Sequence, residues 1–594
     1  MRCWGMTPSD QYRQRLALRE QTLAACQRLQ ARIGGARLAL AGAFLVVAWW
    51  CAERHHPALW LFLPTALFIA LIIQHRRIRL LGANAARSVD FYRAGLARLQ
   101  GQLIACGPTG DQFQDEHHPY GADLDLFGKR SLYACLCTAR TPMGEATLAH
   151  WLQNPADLAA ICARQASIRE LRTGQDLRED LAVLGEPQRI ALGEEALARW
   201  IQGPDELTAA WLLPAASLLA ALAGAAALVW AVWGLAFPLL AVLVIEAVLN
   251  HSVRERVQRS VAAIEHAHED LRLLATLLER IERESFEATA LSTLSLRLRS
   301  HSRSASATLA RLGTVVNFIE ARRNPFLAPL LLPSLYSIQS ALAAERWRRR
   351  HGPAVAAWLE VLGEFEALQS IAGYSFERPE DPFPEFVDGP AAFAATGLGH
   401  PLLAADTRVR NDVELQGATR VLLVSGSNMS GKSTLLRAAG INAVLAMAGA
   451  PVCATHLRLT PLRVGASIRI NDSLQDGSSR FYAEITRLRQ LFEPSRLPLL
   501  FLLDELLQGT NAGDRQLGAR GVIRALIERG GIGLISTHDL ALTDASAYPP
   551  GAVRNVHFED HLQDGKLSCD FTLRDGVVTK SNGIELMRAI GLDV

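Results

Sequence analysis

The chain has 594 residues, of which 49% are apolar, and its mean hydropathy of +0.12 is high for a water-soluble protein. Its 61 basic and 59 acidic side chains leave a formal net charge of +2, which excludes a uniformly basic surface. Any surface that attracts nucleic acid must therefore be local. The nine cysteines are scattered, and only Cys135 and Cys137 lie close together, without a second ligand cluster. This pattern is typical of a reducing compartment and predicts small core residues at both positions.

After an N-terminal helix predicted over residues 1–37, two apolar runs at 38–52 and 57–73 flank a polar turn. Each run is close to the minimum for crossing a bilayer, about 17 residues, so residues 38–73 predict a transmembrane helical hairpin. Tryptophans lie near the turn, as expected at a membrane interface, and arginines lie outside the two runs, which indicates cytoplasmic flanks. These residues are Trp49, Trp50 and Trp60, with Arg28, Arg32 and Arg37 before the hairpin and Arg76, Arg77 and Arg79 after it.

Residues 74–207 are predicted to form the first part of a helical core. Apolar residues recur at helical spacing between 127 and 152, and a Thr-Pro-Met-Gly turn at 141–144 interrupts them. Residues 164–171 resemble a further core helix of the family described below. We assign no chemistry to this part of the chain.

A second transmembrane hairpin is predicted over residues 208–249. No charged residue occurs from 208 to 245, and this run is long enough for two spans with a tight turn near 230–234. Arg254, Arg256 and Arg259 follow the hairpin and place its exit on the cytoplasmic side. The alternative for both hairpins is a buried helical pair in a soluble core.

Residues 250–378 are predicted to be a helical region with a local basic stretch. No acidic residue occurs between Glu287 and Glu320, whereas arginines and serines are frequent. Such a stretch could contact nucleic-acid phosphates, form a solvated helix tip or touch anionic lipid headgroups, and the sequence leaves these alternatives open. Its arginines are Arg297, Arg299, Arg303 and Arg311, and a second cluster, equally ambiguous, contains Arg346, Arg348, Arg349 and Arg350.

Two further segments precede the C-terminal domain. Residues 325–342 are uncharged but carry three prolines, which favours a packed or interfacial segment over a fifth span. Residues 379–396, rich in proline and acidic residues, are predicted to be a linker.

A phosphate-binding loop is predicted at residues 426–433, directly after the apolar run 421–424. The sequence fits the G-x-x-x-x-G-K-[ST] pattern between a buried strand and a helix. Lys432 would contact the β- and γ-phosphates of ATP, and the Ser433 hydroxyl would bind Mg²⁺. The predicted nucleotide-binding residues are Gly426, Ser427, Asn428, Met429, Ser430, Gly431, Lys432, Ser433 and Thr434.

Two further strands supply candidate catalytic residues. An apolar run at 499–503 ends in Asp504 and Glu505, an arrangement in which the first carboxylate binds Mg²⁺ and the second orients or deprotonates water. A second run at 533–536 leads to His538, which can sense the γ-phosphate because it donates a hydrogen bond without a permanent charge.

These motifs, together with residues 471–484, 504–511 and 580–584, resemble the ATPase domain of the MutS family of DNA mismatch-repair proteins. The resemblance is strongest over about 397–594. A weaker resemblance to the helical core of the family covers about 120–200, including the Thr-Pro-Met-Gly turn, and resumes from 251 onward. It implies a homodimer in which Ser479, next to Ser478, caps the nucleotide held by the partner subunit. The first hairpin occupies the position of the family's mismatch-reading domain, so we do not expect that domain. Because the sequence ends soon after the ATPase motifs, we expect no C-terminal extension of the kind that some relatives carry.

Two departures from the family pattern are present. Leu507 and Gln508 replace its usual glycine-arginine pair, and Arg480 replaces the threonine that follows the signature serine. These changes leave the phosphate-binding and hydrolytic residues intact but put an unaltered dimer interface and its coupling to DNA in doubt.

The predicted fold is therefore an α/β P-loop NTPase (ABC-like) domain at 397–594 plus an all-α core and lever region carrying two transmembrane hairpins. The expected function is that of a multi-pass protein of the cytoplasmic membrane with a cytoplasmic, Mg²⁺-dependent ATPase domain. We expect it to form homodimers, to bind DNA and to be related to mismatch repair. The alternative is a membrane-linked mechanoenzyme that acts on a protein partner without DNA.

Overall fold

The computed structural model describes residues 6–54, 58–101, 108–184, 194–209, 211–262, 264–265, 267–299, 304–320, 334–427, 430–469, 480–563 and 566–578. The chain divides into two compact units. The α/β unit comprises residues 1–138, 148–174 and 368–594, and the helical unit comprises residues 139–147 and 175–367.

The described strands occur only after Glu377, whereas the described α-helices occur along the whole chain. Their bounds are α1 Pro8–Arg54, α2 Phe62–Leu99, α3 Leu132–Leu136, α4 Pro142–Gln153, α5 Leu158–Leu171, α6 Gln175–Leu184, α7 Glu194–Gln202, α8 Leu212–Trp233, α9 Phe237–Val261, α10 His268–Glu282, α11 Thr289–Arg299, α12 Ala305–Glu320, α13 Tyr336–Glu377, α14 Lys432–Ala448, α15 Arg480–Leu491 and α16 Ala512–Glu528.

The strands form two sheets in the α/β unit. A four-stranded sheet has the order β1-β5-β2-β3, and a six-stranded sheet has the order β10-β9-β4-β8-β7-β6. The strand bounds are β1 Glu385–Phe386, β2 Phe393–Leu398, β3 Asn411–Leu415, β4 Val421–Ser425, β5 His456–Leu459, β6 Arg463–Ser467, β7 Leu499–Asp504, β8 Ile532–Thr537, β9 Val553–Gln563 and β10 Lys566–Asp575. Strands β6, β7, β8, β4 and β9 are parallel.

The predicted linker 379–396 differs from the structure. It contains β1 and most of β2, which pair with β5 in the four-stranded sheet. The proline-rich composition concealed these strands because β1 is only two residues long and Pro382 and Pro384 directly precede it.

The α1–α2 hairpin is held at its open end by buried aromatic and charged groups. Tyr12 lies against Tyr92 and Phe376, with ring centroids 5.6 and 5.4 Å apart. Gly95 is required here, because a Cβ atom would lie 2.5 Å from the Tyr12 ring. Arg98 donates two hydrogen bonds to Glu377 Oε1 and Oε2, at 2.6 and 3.0 Å. This bidentate pair joins the last turn of α2 to the last residue of α13.

In the helical unit, the described residues of 250–320 lie mainly in helices α9 to α12. The core of this unit contains the stacked Trp200 and Trp347, and Trp347 Nε1 donates to Thr308 O at 2.9 Å.

The predicted Thr-Pro-Met-Gly turn is the start of helix α4, whose first residue is Pro142, and it is bound to a buried carboxylate of α13. Glu366 accepts hydrogen bonds from the backbone N–H groups of Arg140 and Thr141, at 3.0 and 3.2 Å, and from Thr141 Oγ1. Gly144 leaves room for this carboxylate, because a Cβ atom would overlap it. Burial raises the pKa of Glu366 to about 7, although these hydrogen bonds oppose the shift.

Glu366→Gln is expected to flatten the pH dependence of folding. Because the pKa of Glu366 is raised in the folded state, its protonated form stabilises the protein at low pH. That contribution is lost as pH rises from about 4.5 to about 7, by up to about 1.4 kcal/mol per pH unit. Chemical unfolding of the detergent-solubilised chain at several pH values measures the slope. Glu360→Gln, on the exposed side of the same helix, is the control, and an unchanged slope in Glu366→Gln would contradict this assignment.

Three of the described helices are long and apolar enough to cross a membrane by length and composition. They are the Pro8–Glu53 part of α1, and α8 and α9. The 22 residues of α8 extend about 33 Å at 1.5 Å per residue, slightly more than the hydrocarbon thickness of a bilayer. Helix α2, expected to supply a fourth span, does not qualify, because Arg76, Arg77 and Arg79 closely follow its apolar segment 62–73.

Apolar side chains project outward along these helices. Leu38 is 78% exposed, Leu218 61% and Phe237 81%, whereas Ala216 and Ala223 are buried. On α9, Glu246 is a charged residue with a buried side chain. The turn of the second hairpin, predicted near 230–234, lies at 234–236 instead, because α8 continues to Trp233 and Gly234 then adopts a positive φ of 70°.

Candidate functional site

The register of the six-stranded sheet brings the predicted site residues to one edge. Strands β4, β8 and β7 are parallel neighbours, and Ser425 pairs with Thr537 while Asp504 pairs with Ser536. Lys432 is the first residue of the helix that follows β4, and Glu505 and His538 directly follow β7 and β8. Ligands of open parallel sheets bind at the carboxyl ends of the strands, so the topology alone places these side chains around one crevice.

The phosphate-binding loop has the backbone that its glycines permit. Gly426 and Gly431 adopt φ values of 146° and 104°, which other residues rarely adopt, and Gly431 directly precedes α14. The N-terminus of this 17-residue helix therefore points at the loop, where its partial positive charge favours anions. The Ser430 hydroxyl is buried and has no hydrogen-bond partner among the described residues. These features fit a bound phosphate group.

Lys432 lies beneath the loop. Its Nζ donates to the backbone oxygens of Gly426 and Ser427, at 2.9 and 2.6 Å, and lies 3.5 Å from Nε2 of His538. Burial lowers the pKa of Lys432, while Glu505, Asp504 and Asp560 partly offset this shift. A cation in such a place is stabilised further by any phosphate that approaches it.

Ser433 and Asp504 form a pair of oxygen ligands. Ser433 Oγ donates to Asp504 Oδ2 at 2.6 Å, and Ser536 Oγ donates to the other carboxylate oxygen. Mg²⁺ prefers one or two protein oxygens and completes its shell with water and phosphate oxygens. The donor set therefore fits the predicted magnesium site.

Glu505 and His538 lie beside this pair. The carboxylate of Glu505 contacts Nε2 of His538. The backbone N–H of Glu505 donates to O and Oγ of Ser536, at 3.2 and 3.1 Å, and Glu505 has a positive φ of 51°. A carboxylate held here can accept a proton from water, and the neighbouring imidazole can reorient when phosphate charge appears.

The remaining predicted site residues divide into two groups. Ser427 is half-buried beside Lys432, and Thr434 is exposed on the first turn of α14. Asn428, Met429 and Ser479 lie outside the described residues, and so does Arg303 of the basic stretch.

Sequence reasoning missed the hairpin of β9 and β10. A Cβ atom on Gly431 would lie 3.1 Å from the Phe571 ring, so this aromatic residue covers the loop, and Cys569 Sγ donates to Ser430 O at 3.3 Å. The signal was weak, because neither residue belongs to a local motif. The two cysteines of the C-x-C pair are buried, as predicted.

Several arginines of the helical unit form ion pairs or hydrogen bonds within that unit. Arg297 lies 2.9 and 3.8 Å from carboxylate oxygens of Glu360 and Glu364, and Arg299 donates to Glu282 O, whereas Arg311 is exposed. In the second cluster, Arg348 is 5% exposed and donates to Trp200 O, Pro204 O and Asp205 Oδ1. Arg348 is therefore structural.

The fold and the site together define an ATPase-type P-loop domain. Residues 422–593 match the family model of MutS domain V. The match concerns this C-terminal domain, which is similar to MutS domain V.

Curated relatives are similar to this part of the chain. Over 250 residues the chain is 30% identical to DNA mismatch repair protein MutS 2 of Halobacterium salinarum, covering 41% of this chain and 29% of the relative. It is 32% identical to Endonuclease MutS2 of Thermus thermophilus over 241 residues, or 39% and 30% of the two chains. It is 30% identical to DNA mismatch repair protein MutS of Myxococcus xanthus over 253 residues, or 40% and 28%. The chain thus spans less than a third of the length of these relatives.

Proposed function

We propose that the chain is a membrane-anchored MutS-like protein that binds and hydrolyses ATP with Mg²⁺. The observation that carries this proposal is the convergence of Lys432, Ser433, Asp504, Glu505 and His538 at one edge of the sheet. Within one subunit, this arrangement supplies a cation, two metal ligands, a carboxylate and a γ-phosphate sensor for phosphoryl transfer to water.

Each residue has a separate role in this proposal. When ATP binds, Lys432 gives up its hydrogen bonds to the carbonyl oxygens of the loop and contacts the β- and γ-phosphates instead. Ser433 and Asp504 hold Mg²⁺, which neutralises charge on the phosphate oxygens. Glu505 orients the attacking water and accepts its proton, and His538 reports the γ-phosphate by exchanging its contact with Glu505 for a phosphate oxygen.

The proposed ATPase acts as a homodimer. The basis is the family resemblance, in which Ser479 of one subunit caps the nucleotide of the other. An ATP-bound Glu505→Gln variant should accumulate as a dimer, because hydrolysis no longer reopens the interface. Mass determination in detergent checks this, and a monomer at saturating ATP would contradict the composite site.

Membrane anchoring is supported by the exposed apolar surface of α1, α8 and α9. A continuous apolar surface on helices of spanning length is unfavourable in water and favourable in the hydrocarbon core of a bilayer. We place the protein in the cytoplasmic membrane with the α/β unit on the cytoplasmic side, because arginines flank both hairpins there. This topology requires the shorter apolar segment of α2 to return across the membrane beside α1, since both ends of the first hairpin belong to the α/β unit.

The ligand of the helical unit is proposed to be DNA. Two of the relatives are named DNA mismatch repair proteins, and Arg311 offers an exposed cation on α12. The second candidate is an ATP-driven machine that acts on a protein partner without DNA. One observation favours it: Arg297 already faces two carboxylates of its own unit, which reduces the positive field available to phosphates.

Salt dependence distinguishes the two candidates. If the basic stretch contacts phosphates, the affinity of the detergent-solubilised chain for duplex or branched DNA should fall steeply with salt. Arg311→Ala should reduce the slope of log affinity against log salt by about 1. Arg348→Lys, at a buried position, is the control and should leave the slope unchanged. If no DNA is retained at about 50 mM salt, the DNA proposal fails and the partner-protein function stands.

A further inference from the structure

The loop that carries Glu505 is attached to the rest of the α/β unit from two sides. On one side, Glu505 N donates to Ser536 of β8. On the other side, Leu507 N donates to the Glu484 carboxylate of α15. Leu507 has a positive φ of 58°, a conformation that costs a leucine free energy and persists only when its surroundings hold it. The Glu484 contact is therefore part of what maintains the loop.

Helix α15 packs directly on this loop. Glu484 is 1% exposed, so its acceptor atom cannot be replaced by bulk water. A Cβ atom on Gly509 would lie 2.9 Å from Phe481 Cβ, which shows how closely the first turn of α15 approaches the chain after Leu507. Leu507 itself is buried in the same core cluster as Leu488. A shift of α15 would therefore move the loop.

The position of α15 is in turn set by Arg487, one turn after Glu484. Its guanidinium pairs with the buried Asp123 and donates to backbone oxygens that precede this aspartate in the chain. These acceptors are Glu116 O at 3.0 Å and His118 O at 3.2 Å, and the Nε atom donates to Ala466 O at 3.2 Å.

Asp123 also holds the chain after β6. Its Oδ1 accepts the backbone N–H groups of Ile468 and Arg469, at 2.8 and 2.7 Å. One buried carboxylate thus joins the segment 116–125 to β6 and to α15. The neighbouring Asp125 is more exposed and pairs instead with Arg469 and Arg437, neither of which belongs to α15.

We propose that Asp123 and Glu484 are positioning residues for ATP hydrolysis. Asp123 fixes α15 through Arg487, and Glu484 fixes the peptide two residues beyond Glu505. This inference rests on the proposed role of Glu505. It assigns the buried Asp123, which follows the α1–α2 hairpin along the chain, a part in setting the hydrolysis rate.

Glu484→Ala should lower kcat for ATP hydrolysis roughly tenfold to hundredfold, because a displacement of about 1 Å at a reacting group has effects of that size. The dissociation constant for ATP should change less than about threefold, since the phosphate-binding loop keeps its contacts. Glu484→Gln retains an acceptor oxygen and should restore most of the lost rate. Asp123→Asn keeps the acceptors for Ile468 and Arg469 but removes the charge facing Arg487, so it should also lower kcat selectively.

Asp125→Asn is the matched control and should hydrolyse ATP at the wild-type rate. The kcat and the dissociation constant are measured on the full chain in detergent, with thermal melting to monitor folding. A wild-type kcat in both Glu484→Ala and Asp123→Asn would overturn the inference. A loss of ATP binding equal to the loss of kcat would do so as well. If the wild-type rate did not depend on Glu505, the proposed function itself would fail, which is a separate outcome.

Discussion

Glu505→Gln is expected to bind ATP and to hydrolyse it roughly 100- to 10,000-fold more slowly than the wild-type chain. The substitution keeps the size of the side chain and removes its ability to accept a proton. The metal ligands Ser433 and Asp504 remain paired, and Lys432 keeps its place under the loop, so nucleotide affinity should persist. Single-turnover hydrolysis and binding of a fluorescent ATP analogue, both in detergent, measure the two quantities.

Lys432→Ala is the contrasting variant in the same assay. It removes the cation that faces the phosphates, so ATP binding itself should be lost, by at least about 100-fold. The Leu517→Ala control alters an exposed side chain of α16 outside the predicted nucleotide-binding residues and should have a much smaller effect. Normal turnover by Glu505→Gln would show that another group activates water, with His538 as the nearest alternative.

The nucleotide site was predictable from sequence because its chemistry is confined to short motifs. A strand followed by G-x-x-x-x-G-K-S specifies both the backbone turn and the lysine, and two carboxylates after an apolar strand specify the metal side. The parallel sheet then brings Lys432, Asp504 and His538 together, as the register of β4, β7 and β8 shows. Local patterns and one topological rule were sufficient.

The residues that hold the site were not predictable in this way. Asp123 and Arg487 are 364 positions apart, and no local pattern distinguishes their buried pair from two surface charges. Leu507 illustrates a second reason. A leucine gives no sign of a positive φ, and only the structure shows the core packing and the Glu484 contact that hold it there. The structural role of Arg348 in the basic cluster at 346–350 was not predictable either, because its burial depends on acceptors more than 140 positions away.

Membrane association should survive loss of either hairpin and disappear with loss of both. Deleting residues 38–73 leaves α8 and α9, which carry their own apolar surface. In that deletion background, Leu218→Arg with Leu222→Arg places two charges on the exposed face of α8. Each charge costs about 2.5–3.5 kcal/mol at the centre of a span but almost nothing on a surface in water. The variant should therefore no longer be found in the carbonate-resistant membrane fraction.

The same substitution on a water-facing helix provides the control for this experiment. Leu517 on α16 is 79% exposed, so Leu517→Arg in the deletion background should remain membrane-bound and retain ATPase activity. A reporter fused after Val594 should be cytoplasmic, because arginines flank both hairpins on that side. If the arginine pair on α8 left the deletion variant in the membrane, α8 would not face lipid. The apolar surface of the second hairpin would then have to be covered by protein.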